Sequence, residues 1–209
     1  MKISNVRVYG LAESIVASGY PMLAEPMESI DFLENCMAVE IAIREGDYSN
    51  KHIQRTIRLA NAPAGSGHDC AIKGILVQMD VNAPQYFWQQ LQRYHFVDFV
   101  SSMSKMHCIT KFAHSNSMFD GYTTQLSVDA FEQTMFDHED GKADIDEVLC
   151  NVPMGLEYTA RMTTNFLQLK TIYKQRRTHR SRQWQEFCDW IESLPMAKEL
   201  ITGGEKNEL

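Results

Sequence analysis

Apolar positions change their spacing several times along the chain, and each change marks a predicted element. Val6 and Val8 lie two apart within residues 3–9, the alternation of a short strand. From Glu28 to Glu45, Ile30, Leu33, Met37 and Ile41 recur at three- and four-residue intervals, which predicts a helix with those side chains on one stripe, ended by Gly46-Asp47. Ile53 and Ile57 give a second, shorter helix from His52 to Ala60. The run Asn61-Ala62-Pro63-Ala64-Gly65-Ser66-Gly67-His68-Asp69-Cys70 is rich in turn formers and reads as a loop. The period then drops to two: Ile75, Val77, Met79 and Val81 alternate with Leu76, Gln78 and Asp80, a strand. Ala83-Pro84 starts a helix, since proline fits a first turn where its missing N–H is not needed. That helix carries Phe87, Leu91 and Tyr94 on one stripe and runs into Arg93–Lys105. Residues 110–125 show little periodicity and read as loop, and 126–140 as helix. The last third reads as two helices, one from Gly155 to Arg177 and one from Arg182 to Leu194 that buries Trp184, Phe187, Trp190, Ile191 and Leu194. Pro195 interrupts the second, and Gly203 to Leu209 reads as a frayed tail. Strands among longer helices, with neither an internal repeat nor a linker, predict one mixed α/β domain over residues 1–209.

Composition narrows the function classes. A chain of 209 residues with 44% hydrophobic positions buries a core without disulfides or a structural metal. Its 20 Lys+Arg against 27 Asp+Glu leave a formal charge of −7, which argues against non-specific binding along nucleic-acid backbones. Cys36, Cys70, Cys108, Cys150 and Cys188 form no CxxC pair and read as reduced, buried thiols of a cytoplasmic protein. No apolar h-region follows Lys2, and no stretch reaches the ~18 apolar residues of a membrane span. A soluble cytoplasmic protein with no membrane contact is therefore expected.

Four segments concentrate polar chemistry: Gly67-His68-Asp69; Gln89-Gln90-Leu91-Gln92-Arg93-Tyr94-His95; Ser101-Ser102-Met103-Ser104-Lys105-Met106-His107; and Lys174 to Arg182, with five Lys or Arg in nine residues. Small hydroxyl residues beside a lysine suit a phosphate, which takes hydrogen bonds from hydroxyls and backbone N–H groups and charge from the ammonium. The basic run reads alternatively as a solvated helix end or as a surface for single-stranded nucleic acid. His138-Glu139-Asp140 lacks the ligand spacing of a metal site, so no metal is expected. No P-loop, GxGxxG turn or GxSxG elbow occurs.

The order and spacing of these segments resemble the flavin-dependent thymidylate synthases, the ThyX family. That family carries a strand, then V-x-A-P, then a helix reading Q-x-x-R-H-R, followed after seven or eight residues by a serine and a basic residue. Here Val81-Asn82-Ala83-Pro84 matches the strand exit, and Gln90 and Arg93 match the glutamine and first arginine. Tyr94-His95 stands where the family has His-Arg, and Ser104-Lys105 takes the place of the serine and basic residue. The family then places an asparagine in a long helix and, eleven residues on, an arginine that holds the nucleotide. Asn165 and Arg176 keep that order after Tyr158-Thr159, and Gln183-Trp184 follows as it often does in the family. The similarity covers roughly residues 65–107 and 150–190. R-Y-H in place of R-H-R removes one cation. Asp98-Phe99-Val100-Ser101 replaces Ser-x-Asn-Glu, so the glutamate is missing, and Gly67-His68-Asp69-Cys70 replaces a longer family loop with a second histidine. These departures imply a divergent, phage-type branch.

The resemblance implies a ThyX-like α/β fold with a central antiparallel-type sheet packed by long helices. It implies FAD bound at the interfaces of a homotetramer, and transfer of a one-carbon unit from methylenetetrahydrofolate to dUMP with NADPH as reductant. A related transfer to another pyrimidine nucleotide fits nearly as well. The residues carried over are Gln90, Ser102, Ser104, Lys105 and Arg176 for the nucleotide, with Arg176 and Ser104 as the catalytic candidates. Arg93, Tyr94, His95 and Asn165 are carried over for the flavin, and His68 for flavin or folate. An always-charged planar guanidinium suits negative charge developing on a pyrimidine carbonyl edge, which is the part expected of Arg176. As helix neighbours, Gln90 and Arg93 should share one face, and Asn165 and Arg176, three turns apart, another. Phe87, Trp88 and Tyr94 crowd one short helix, aromatic surface that a tetramer would cover. The contrasting expectation is a non-catalytic module that keeps the fold and binds a nucleotide, a flavin or a protein partner.

Overall fold

The computed structural model describes residues 1–63, 66–112 and 118–203. The chain runs through β1 (Lys2–Tyr9), α1 (Leu11–Ala17), α2 (Ser29–Glu45), α3 (Lys51–Ala60), β2 (Leu76–Pro84), α4 (Gln85–Leu91) and β3 (Asp98–Ser102). It continues through α5 (Lys105–Phe112), α6 (Gln125–Glu139), α7 (Ile145–Cys150), β4 (Glu157–Asn165), α8 (Phe166–Arg176) and α9 (Arg182–Glu192). Shorter helical turns lie at His68–Gly74 and Lys198–Thr202. The four strands form an antiparallel sheet in the order β1-β2-β4-β3, so the fold is the mixed α/β class expected. The chain divides into two compact units, Met1–Asn5 with Met79–Met162 and Val6–Gln78 with Thr163–Leu209.

The sheet follows from the period-two segments. Along β2, Val77, Met79, Val81 and Ala83 are completely buried, whereas Leu76 is 46% exposed. In β4, Ala160, Met162 and Thr164 are buried in the same alternation. This strand corrects the long helix expected from Gly155 to Arg177: residues 157–165 are extended, and helix starts only at Phe166. The Thr-rich run Tyr158-Thr159-Ala160-Arg161-Met162-Thr163-Thr164 favours a pleated strand, because β-branched side chains lose χ1 freedom in a helix. Likewise α4 stops at Leu91 and does not run to Lys105, since β3 occupies Asp98–Ser102. The loop expected over residues 110–125 does not start at 110, because α5 continues to Phe112, and residues 113–117 of that stretch lie outside the described residues.

In the first unit α5, α6 and α7 close over Ile109, Phe131, Met135, Val148, Val152 and Leu156. In the second, α1 packs on α2 and α3. The buried side of α2 is not the one expected. Ile30, Leu33, Met37 and Ile41 are 69%, 60%, 61% and 49% exposed, and the inward residues are Cys36, Val39 and Ala42. Those three also recur at three-residue spacing, so α2 carries two apolar stripes. The one with small side chains faces inward. The thiols need a correction too: all five are free, but only Cys36 and Cys188 are buried, while Cys70 and Cys150 are exposed.

Arg55 fixes α1 against α3. Its guanidinium donates to the carbonyls of Ile15 (3.3 Å) and Val16 (3.0 Å) and to Ser18 Oγ (3.0 Å), serving the open C-terminal end of α1, which has no basic residue of its own. A Cβ on Gly19 would lie 2.6 Å from Arg55 Cζ, so this cap requires glycine there. Arg55 also donates to His52 Nδ1 at 3.0 Å, while His52 Nε2–H donates to Asn35 Oδ1 at 3.1 Å, which sets the imidazole as the neutral Nε2–H tautomer. Burial, then the neighbouring Arg55 and Lys51 charges, hold the His52 pKa below that of a free histidine. The unfolded chain therefore binds this proton at a higher pH than the folded one. Stability from this group is present above a pH of about 6.5 and is lost as pH falls below it. Urea midpoints should fall from pH 7.5 to pH 5.5 in the wild type, and by less in His52→Gln. Parallel curves for the two proteins would refute the assignment.

Candidate functional site

In the first unit the site residues sit where strands hand over to helices. Pro84, at φ −69° and ψ 154°, caps α4 from an extended conformation. The first turn of α4 has its N–H groups taken by backbone carbonyls, Gln85 to Leu156 at 3.0 Å and Tyr86 to Met154 at 3.2 Å. Arg93 N–H and Tyr94 N–H donate back to Gln90 and Leu91 oxygens at 3.4 and 3.1 Å, closing a turn after the helix. Gln90 thus lies on α4, while Arg93, Tyr94 and His95 lie in the turn beyond it, and the shared helical face expected for Gln90 and Arg93 is absent. Arg93 and His95 are exposed and have no carboxylate partner among the described residues.

The Ser102–Lys105 segment is the start of α5. Met103 N–H donates to Thr159 O at 3.0 Å, which ties the end of β3 to β4. Ser104 then caps α5: its Oγ accepts from His107 N–H at 3.3 Å and its carbonyl from Cys108 N–H at 3.0 Å. Lys105 Nζ donates to Gln85 Oε1 at 2.5 Å and lies 5.9 Å from the centre of the Tyr158 ring. Tyr158 in turn stacks on Trp88 with ring centres 5.2 Å apart, and burial pushes its phenol pKa up. Two hydroxyls, the N-terminal end of a helix and an ammonium therefore meet within one short segment. That is the donor set of a phosphate.

In the second unit Gly67, at φ 73°, turns the chain into the helical turn that His68 begins. His68 is exposed. The next residue binds α8: Lys170 Nζ contacts Asp69 Oδ2 at 3.0 Å and also donates to Ala60 O. Asp69 stands in a polar segment readable from sequence but carries no assigned role there, and Lys170 is not singled out, although a lysine amid Phe166, Leu169 and Ile172 is a readable signal. Asn165 is not inside a helix. It caps α8 from an extended backbone at φ −136°, and its Oδ1 accepts from Gln168 N–H at 2.9 Å. Arg176 lies at the opposite end of that helix, three turns and about 16 Å away along the axis.

Arg176 stacks over the buried Trp184, its Cζ 4.7 Å from the ring centre. Its neighbours are committed to carboxylates: Arg177 to Asp189 (2.5 Å) and Glu192 (3.5 Å), and Arg182 to Glu186 (2.8 Å). Tyr173 donates to Glu192 at 2.7 Å, and burial with that carboxylate pushes its pKa up to about 12. Within the basic run Arg177 and Arg182 are thus ion-paired, and the Arg176 guanidinium lies over an indole. Among the described residues, no three His, Cys, Asp or Glu side chains gather as metal ligands. None of the helices is long and apolar enough to cross a membrane.

No family model matches the sequence, and no curated protein matches it. Solved structures do. A flavin-dependent thymidylate synthase ThyX from Helicobacter pylori, complexed with FAD and dUMP, superposes with a TM-score of 0.68 over 97% of this chain and 98% of its own, at 12% sequence identity. A second thymidylate synthase X structure from Helicobacter pylori, with FAD and dUMP, gives a TM-score of 0.61 over 79% of this chain and 90% of its own, at 14% identity. The chain has the fold of these enzymes over almost its whole length.

Proposed function

We propose that this chain is a flavin-dependent transferase that moves a one-carbon unit from methylenetetrahydrofolate to dUMP, with NADPH as reductant. The observation that carries the reading is the likeness of fold to structures with FAD and dUMP over 97% of the chain. The residues that the ThyX resemblance picks out add chemical support. Ser102, Ser104 and Lys105 at the start of α5 are assigned to the nucleotide phosphate, with Gln90 as a further contact. Arg176, always charged and positioned over Trp184, is assigned to the carbonyl edge of the base, where it stabilises developing negative charge. Arg93 and His95, exposed and without a carboxylate partner among the described residues, fit a flavin pyrophosphate, with Tyr94 beside them. His68 is assigned to flavin or folate. Asn165 retains an amide N–H₂ for the flavin ring, its oxygen being used in the α8 cap. The flavin, when bound, supplies the redox chemistry that a side chain cannot.

The purified protein should be yellow, or be stabilised by added FAD. Arg93→Ala should weaken FAD binding by about 1.5–3 kcal/mol through loss of a charge-assisted hydrogen bond. A colourless protein whose melting FAD leaves unchanged would favour a binding module that keeps only the fold. Unchanged FAD affinity in Arg93→Ala would remove that residue from the site.

The assembled form proposed is a homotetramer. Phe87 and Trp88 of α4 do not supply its surface, because each is only 1% exposed, and the half-buried Tyr94 lies beyond the helix. The Ile30, Leu33, Met37 and Ile41 row of α2 is an exposed apolar surface that a partner chain would cover. Light scattering should give four times the 24.0 kDa chain mass, and a monomer at micromolar concentration would contradict the assembly.

A further inference from the structure

The second unit contains a cavity that the proposed reaction does not use. About 480 Å³ in volume, it is lined by Ile57 and Ala60 of α3, Asn61-Ala62, Lys170 and Lys174 of α8, and the Lys198–Gly203 turn. Its size lies within the range of small-molecule sites. Three lysines, Lys170, Lys174 and Lys198, line it against two nearby carboxylates, that of the lining residue Glu199 and that of Asp69, which pairs with Lys170. Lys170 is 6% exposed and satisfies only two of its three N–H donors, with Ala60 O and Asp69 Oδ2. Lys174 and Lys198 have no carboxylate partner among the described residues, although acidic side chains outnumber basic ones 27 to 20. Arg177 and Arg182, from the same stretch of chain, have both found carboxylates. The walls between the ammonium groups are apolar, from Ile57, Ala60 and Ile201.

We propose that this cavity is a binding site for a small organic anion, its phosphate or carboxylate group held by Lys170, Lys174 and Lys198 and its apolar part against Ile57 and Ile201. A buried ammonium with a spare N–H draws an oxyanion strongly, because partial removal from water strengthens the charge-assisted hydrogen bond. Two exposed lysines add attraction from outside, and the Gly203 backbone leaves the rim open at φ 62° where a side chain would crowd Asn61. The inference rests on this unit's own residues and not on the thymidylate synthase reading.

Calorimetric titration of the full-length protein with phenyl phosphate, benzoate and inorganic phosphate tests it. Saturable binding is expected, with an aromatic probe at least tenfold tighter than inorganic phosphate because of the apolar walls. A preference for phenyl phosphate assigns the group as phosphate, and one for benzoate assigns it as carboxylate; either supports the site. The double variant Lys174→Ala/Lys198→Ala, altered only at exposed positions, should bind at least tenfold more weakly. Lys2→Ala/Lys142→Ala, with the same loss of charge elsewhere, should bind as wild type does. No saturable binding of any probe, or equal affinity in the two double variants, overturns the proposal. So does displacement of the probe by dUMP, which would place it in the nucleotide site. Failure of dUMP to bind leaves this result intact and counts against the proposed reaction alone.

Discussion

Trp88→Ala is expected to lower the unfolding free energy by about 3–5 kcal/mol, the largest stability loss of any single change considered. Trp88 is 1% exposed and packs against three rings: Phe87 at 6.3 Å, Phe99 at 5.1 Å and Tyr158 at 5.2 Å between centres. Its indole N–H donates to Ala83 O at 3.0 Å, so the truncation also strands a buried carbonyl. The loss should reach the segment proposed for the nucleotide phosphate, because the Tyr158 ring lies beside Lys105 Nζ at 5.9 Å. Urea denaturation measures the first effect. A double-mutant cycle with Tyr158→Ala measures the coupling, and the double loss should fall short of the sum of the single losses. A loss under about 1 kcal/mol for Trp88→Ala would mean that the indole does not hold β3, β4 and α4 together.

The parts legible in sequence are those where one periodicity ruled. Strand β2 was readable because Val77, Met79 and Val81 alternate strictly with polar or exposed positions, and α9 because Trp184, Phe187 and Ile191 recur at helical spacing. Strand β4 was not, for a local reason. Glu157–Asn165 leads without a turn residue into α8, whose Phe166, Leu169 and Ile172 recur at helical spacing, so strand and helix read as one element. Asn165 marked the true boundary, since asparagine is among the strongest helix N-caps. Its place in the family pattern led to a position inside a helix. For α2 the periodicity predicted the helix but not its inward side, because two stripes compete and only packing against α1 decides between them.

The candidate site divides in the same way. Residue types at matched spacing pointed to Ser104, Lys105 and Arg176. Spacing says nothing of what a side chain rests on, so it missed the Tyr158 and Trp184 rings under the two cations. It also missed Lys170, whose partners Ala60 and Asp69 lie 110 and 101 residues away in sequence. Long-range pairs of this kind form no pattern in a single chain.

Arg176→Ala should weaken dUMP binding by about 1.5–3 kcal/mol, roughly tenfold to more than a hundredfold. The reason is positional. The Arg176 guanidinium lies over a buried indole, its Cζ 4.7 Å from the ring centre, so its position is restrained before any ligand arrives. Arg176→Lys should recover little, because an ammonium offers neither the flat stacking surface nor the paired donors. Arg182→Ala should be mild, since that side chain already pairs with Glu186 at 2.8 Å, and so should Arg180→Ala, at an exposed position. A diffuse basic patch predicts otherwise: similar modest losses at all three positions, with affinity falling steeply as salt rises. Titration of dUMP into the wild type and the four variants at two salt concentrations separates these outcomes. The stability of Arg176→Ala is followed alongside, because losing the stacking contact alone should cost only about 0.5–1 kcal/mol at this partly exposed site. A severe, salt-insensitive loss confined to Arg176 supports the nucleotide assignment, and equal small losses at 176, 180 and 182 would end it.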